Sequence, residues 1–336
     1  MQNIILLVGT MVGAGFASGK EITTFFLSSN QYAILGLILS NIITAGIIYK
    51  VIRIVQKKQI QNYEELIHSI IPEKAQSLAT IGNHIINLFL LISFYIMVAG
   101  FATYFKQELA LPMIVGILFS LIVIYIACNS NIQGITKINT ILIPILILVV
   151  IHIWMQNVDN QAVESMILEE KKGNLLKACI KAILYSSYNS IILIPMVIEV
   201  AKNTKIKAKN IAIGTGIILF ALGYFLTTLL FQGATTDILK KDLPVLEVVG
   251  IMEPKIQKIY GIMIAIAIIT SAISAMYGYL KNVSKTKQSY QKRLLALSIT
   301  AIPIAYIGFS NLINTLYPVF GLLGCAQILL LFIRKA

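Results

Sequence analysis

Ten apolar runs, each long enough to cross a bilayer, follow one another along this chain with only short polar connections between them. They fall at 2–27, 31–55, 76–105, 111–128, 136–154, 174–200, 208–231, 256–281, 293–309 and 311–333. A hydrocarbon core of about 30 Å takes about 20 mostly apolar helical residues. Within it every backbone polar group must be bonded internally, so runs of this length are expected to be helices. The runs consume nearly all of the 336 residues, and only 12% of the chain is charged, against about 25% in a soluble domain. The expectation is an all-α integral membrane protein of ten transmembrane helices, with 1–336 a single transmembrane domain.

The net charge of +13 raises nucleic acid as a partner, but its placement argues against it. Seventeen Lys and Arg lie in the connections on one side, 202–209 and 281–293 among them, and eight lie on the other, including Lys106, Lys240 and Lys258; Lys20 and Lys181 fall within spans. Basic excess marks the cytoplasmic side, so both termini are expected there and the bilayer itself is the large partner. The first apolar run lacks the positive leader of a signal peptide and is read as span 1. Cys128, Cys179 and Cys325, like His68, His84 and His152, are scattered without metal-ligand spacing, so no disulfide framework, resident cofactor or enzyme active site is expected.

Asn62-Tyr-Glu-Glu65 ahead of an apolar run reads as a capping box, which predicts a short cytoplasmic helix at 62–70. The apolar residues of 233–255, split by Pro244, suit two short helices over the outer mouth and equally an interfacial loop. The halves 1–155 and 174–336 each hold five spans at corresponding spacings, joined by an outer loop at 156–173. Five is odd, so the halves run oppositely through the membrane, an inverted repeat of the kind that builds transporters.

Span 1 carries Gly9-Thr-Met-Val-Gly13-Ala-Gly15-Phe-Ala-Ser-Gly19-Lys20-Glu21. Glycines permit a helix break, and a break at membrane depth survives only where it lines a cavity or is buried in protein. The same spacing also suits close helix packing. Span 6 carries Ser186-Ser187-Tyr188-Asn189-Ser190 at mid-depth, where polar clusters usually serve function. Two disruptions at matching positions point to a transport site, so spans 1 and 6 are both expected to be broken at mid-membrane. Span 8 adds Ala267-Ile-Ile-Thr270-Ser271, whose hydroxyl oxygens suit a hard cation.

The stretch from Gly9 to Phe26 closely resembles the start of the YkvI-type bacterial membrane proteins, grouped with amino-acid permeases of the amino acid–polyamine–organocation superfamily. That resemblance implies the LeuT fold, a bacterial plasma-membrane location and a sodium-coupled symporter of a small amino-acid-like solute. It further implies sodium ligands: the backbone carbonyls of Gly9, Val12 and Ala267 and the hydroxyls of Thr270 and Ser271. Some proton-coupled relatives place a lysine of span 5 there, and Ile138 to Trp154 contains none. The solute would lie between Gly13, Ala14 and Gly15, the run Ser186, Ser187, Tyr188 and Asn189, and Tyr95 of span 3.

Two departures accompany the resemblance. Span 6 lacks the glycine pair of many relatives, and span 10 offers no acidic residue opposite Lys20 for an outer gate. A non-transporting receptor on the same fold, similar to the membrane subunit of spore germinant receptors, is the competing reading.

Overall fold

A computed structural model describes residues 2–71, 77–130, 133–157, 173–204 and 206–333. Most of the connection expected at 156–173 lies outside the described residues. Among those described, the chain is helical throughout. Span 1 is three pieces, α1 (Gln2–Met11), α2 (Ala14–Ala17) and α3 (Lys20–Phe25), and a 3-10 stretch, Leu27–Tyr32, leads into α4 (Ala33–Lys58). Next come α5 (Tyr63–Ile70), α6 (Ser77–Glu108), α7 (Met113–Asn129) and α8 (Gln133–Asn157). After the connection come α9 (Leu175–Asn203), α10 (Ala208–Gly233), the short α11 (Thr236–Lys240) and α12 (Pro244–Met252). Then follow α13 (Pro254–Val283), α14 (Lys287–Ala305) and α15 (Phe309–Ile333).

Among the described residues six helices are long and apolar enough to cross a membrane: Leu27–Lys58, His84–Glu108, Leu175–Asn203, Ala208–Gly233, Pro254–Val283 and Phe309–Ile333. Shorter apolar helices, Gln2–Met11, Met113–Asn129 and Ile141–Asn157, accompany them. The outer surface is apolar along these helices, with Ile42, Ile122, Leu148, Ile262 and Leu322 all exposed. Serines, threonines, Lys20 and Glu21 are buried instead. That inversion of the usual soluble arrangement fits a multi-pass protein with lipid around it.

The local expectations at the helix ends hold. Asn62 caps α5, its Oδ1 accepting from Glu65 N at 2.9 Å, while Glu65 Oε2 accepts from Gln61 N at 2.7 Å. The 233–255 segment does form two short helices, with Pro244 opening the second, where its missing N–H costs nothing.

The middle of the bundle is α9, which packs on α4, α15 and α1, while α13 packs on α6, α8 and α2. The contact of α9 with α15 is close because two glycines of α15 face its backbone. A Cβ on Gly321 would stand 2.8 Å from the Leu184 carbonyl oxygen, and one on Gly324 would collide with the Ser187 carbonyl.

The break in span 1 is present, but the break expected in span 6 is not. Residues Leu175–Asn203 form one continuous helix through Ser186 to Ser190. The polar side chains turn back onto the helix instead of interrupting it. Ser186 Oγ donates to Ala182 O at 3.0 Å and to Ser40 O of α4 at 2.9 Å. Asn189 Nδ2 donates to Tyr185 O at 3.0 Å, and Ser190 Oγ to Ser187 O at 2.7 Å. With no glycine in the run and such back-bonds available, the run stays helical, and Pro195 further along does not end the helix.

Candidate functional site

Span 1 is interrupted where its glycines stand. Gly13 takes an extended conformation (φ −83, ψ −173), and Gly19 lies in the left-handed region at φ 83, where a side chain would be strained. Gly13 N turns to Met11 O at 2.9 Å, so the Gly9 carbonyl loses the partner that a continuing helix would supply. Beyond the break, α2 begins with no side-chain cap. A Cβ on Gly13 would meet nothing within 4 Å, so the break opens onto free space there. The hollow at Gly15 is filled, because the Glu21 carboxylate packs against it, with its Cδ 3.0 Å from a Cβ built there.

Glu21 is 4% exposed and sits among aromatic residues of two other helices. Tyr188 of α9 is sandwiched between Phe25, at 5.5 Å between ring centres, and Tyr317 of α15, at 4.6 Å. Tyr185 meets the edge of Tyr188 at 5.5 Å. Although Tyr188 is the carboxylate's neighbour, Glu21 Oε2 and Tyr188 Oη both lack a partner of normal hydrogen-bond geometry. The structure thus brings Gly15 and Tyr188 to one place through Glu21. Of the remaining run, Ser187 Oγ approaches Cys325 Sγ at 3.2 Å on the α15 side, and Ser186 and Asn189 are occupied by the carbonyls named above.

Over α2 and α3 the short helices form a cap. Val245 N donates to Ser18 O at 3.0 Å, and Lys20 Nζ donates to the Lys241 carbonyl at 3.0 Å. Asp242 lies near enough to interact with the Lys20 charge. It also accepts from Ser310 N at 2.8 Å, from the Ser310 hydroxyl, and from Thr103 Oγ1 at 3.3 Å. The acidic residue near Lys20 therefore comes from the 233–255 segment and not from span 10. Sequence reasoning passed over Asp242, and its one signal was an acidic residue between the two short-helix patterns.

A Cβ built on Gly9 would stand 3.2 Å from Ile143 Cγ1 of α8, and Val12 and Ala267 are buried. Thr270 Oγ1 donates back to Ile266 O at 2.8 Å and Ala267 O at 3.1 Å, and Ser271 is half-buried. Helix α8 packs on both α1 and α13, and Tyr260 of α13 donates to Ala17 O of α2 at 2.8 Å. These contacts tie α13 to the broken span. Tyr95 is engaged elsewhere, its hydroxyl 2.8 Å from Thr300 Oγ1 of α14.

No protein-family profile matches the chain. It is 27% identical over 344 residues to the uncharacterized membrane protein YkvI of Bacillus subtilis, covering 100% of this chain and 96% of the relative. It is 24% identical over 329 residues to the uncharacterized protein YyaD of the same organism, covering 96% and 93%. Among solved structures it is similar to a Na+-coupled sialic acid symporter, with TM-score 0.56, 18% identity and coverage of 99% of this chain and 77% of that one. A manganese transporter of Eremococcus coleocola matches with TM-score 0.58, 14% identity and coverage of 96% and 76%. The chain thus resembles YkvI over its whole length and shares the fold of these two transporters.

Proposed function

We propose that this chain is a sodium-coupled symporter of a small amino-acid-like solute, working by alternating access in a bacterial plasma membrane. Its ten spans would form two inverted five-helix repeats of the LeuT type, 1–155 and 174–336, with both termini cytoplasmic. The observation that carries the reading is the interrupted first helix. A freed Gly9 carbonyl and open space at Gly13 lie on the interrupted span, where a break is tolerated if it lines a cavity or is buried in protein, and broken helices of this kind form transporter binding sites.

In this reading sodium is held by the carbonyls of Gly9, Val12 and Ala267 with the hydroxyls of Thr270 and Ser271. The Thr270 hydroxyl would exchange one of its back-bonds for the ion. The solute takes the space at Gly13 and Ala14, bordered by Gly15, Tyr188 and the neighbouring Ser186, Ser187 and Asn189. Tyr95 serves this site only if its bond to Thr300 is released. The cap of Lys20, Asp242 and Val245 closes the outer path, and its withdrawal opens it.

Ligand-dependent melting of the purified protein tests the reading. A cognate solute at 100 times its Kd adds about 2.7 kcal/mol of stability. Amino acids should raise the melting temperature, and more so in sodium than in potassium. No stabilisation by any amino acid in either salt would contradict it.

A further inference from the structure

We propose that Glu21 is the counter-ion for the cationic group of the solute, and that it holds a proton when the site is empty. The inference rests on the solute site proposed above. It begins from a carboxylate 4% exposed beside a tyrosine 2% exposed, neither Glu21 Oε2 nor Tyr188 Oη making a hydrogen bond of normal geometry although the two side chains are neighbours. Among the described residues no cation pairs with Glu21. The two nearby lysines are committed to other acceptors: Lys20 to the Lys240 and Lys241 carbonyls, and Lys181 to the Thr24 carbonyl and the Ser28 hydroxyl.

The titratable groups around Glu21 are Tyr185 and Tyr188 from α9 and Tyr317 from α15. Helix α2 presents only Ala14–Ala17. On the α10 and cap side, Leu230 and Val245 lie beside Gly19. An ionised carboxylate buried without a cation is too costly to persist, and such a group takes up a proton instead. The carboxyl is seated against Gly15, two residues from the open space at Gly13. Among the described residues Glu21 is the one buried acid, so an alkylammonium held at the break would pair with it. The balance is simple: the ammonium keeps its three protons, the Glu21 carboxyl loses one to solvent, and a carboxylate–ammonium pair remains.

Two measurements on the full-length protein in lipid nanodiscs test this. Infrared spectra of the empty protein should show a carboxylic-acid C=O band that Glu21→Gln removes; a spectrum indifferent to that substitution overturns the proposal. Calorimetric titration then uses L-alanine, ethylamine and propionate as matched probes, with the other common amino acids as a panel. Each is titrated in buffers of different ionisation enthalpy between about pH 6 and about pH 8, where an alkylammonium with a pKa near 10.4 stays charged.

The expected result is release of one proton per amine-bearing ligand, with affinity rising up to about tenfold per pH unit. Glu21→Gln should lose both, and Tyr188→Phe should keep the release. Binding without proton release, release retained in Glu21→Gln, propionate binding as well as L-alanine, or no binding of any amine each overturns it. Gradient-driven amino-acid uptake without proton release removes the counter-ion and leaves the transporter. Proton release without gradient-driven uptake does the reverse.

Discussion

Replacing Gly324 by alanine probes the contact that holds the polar run of α9 in place. The added Cβ would lie 2.5 Å from the Ser187 carbonyl carbon and 3.2 Å from its Cα, and would collide with its oxygen. These are backbone atoms, so no side-chain rotation relieves the overlap and α15 must move away. Overpacking costs about 1–3 kcal/mol, and a backbone collision belongs at the upper end. Alanine returns up to about 1 kcal/mol of helix propensity, leaving a net loss of about 2 kcal/mol. Gly36→Ala is the matched control, because its Cβ would meet only Phe26 Cδ1 at 3.5 Å and Ala178 O at 3.6 Å. It should be neutral or slightly stabilising. Both variants can be compared by reversible unfolding in mixed detergent micelles. Gly324→Ala as stable as Gly36→Ala would refute the close backbone approach.

Asp242→Ala removes the acceptor that ties the cap to Ser310 and Thr103. A cysteine placed at the buried Ser18 should then react faster with a soluble thiol reagent, and an unchanged rate would show that the cap is held elsewhere. Asn62→Ala removes the cap of α5 and should destabilise that helix by about 1 kcal/mol, read as faster amide exchange over Tyr63–Ile70 in a segment otherwise intact. In a cysteine-free background, an impermeant reagent on intact cells should label a cysteine at the exposed Lys240 and spare one at the exposed Lys287. The opposite pattern inverts the topology.

The helices were legible because lipid imposes one rule on every long run: apolar composition and no backbone group unpaired. The capping box at Asn62 and the paired short helices at 233–255 were legible for similar local reasons. The break in span 1 was legible from glycines, whereas the supposed break in span 6 was not real. A row of polar residues looks the same in sequence whether it opens a helix or bonds back to it. The seat of Glu21 was hidden because it depends on Gly15, Tyr188 and Tyr317 arriving from three elements. Asp242 was missed because its partners, Thr103 and Ser310, lie on spans far away in the chain. Tyr95 was assigned through the family resemblance, and nothing local to it reveals Thr300 as its partner.

The central claim is ion-driven transport through the broken first span, and uptake into proteoliposomes tests it most directly. Wild-type protein should concentrate a labelled amino acid inside vesicles when sodium is imposed outside, and should stop when a sodium ionophore collapses the gradient. Thr270→Ala with Ser271→Ala should weaken the sodium dependence while the protein still inserts and folds. Uptake that is indifferent to sodium, or no uptake of any amino acid by folded protein, would contradict the account.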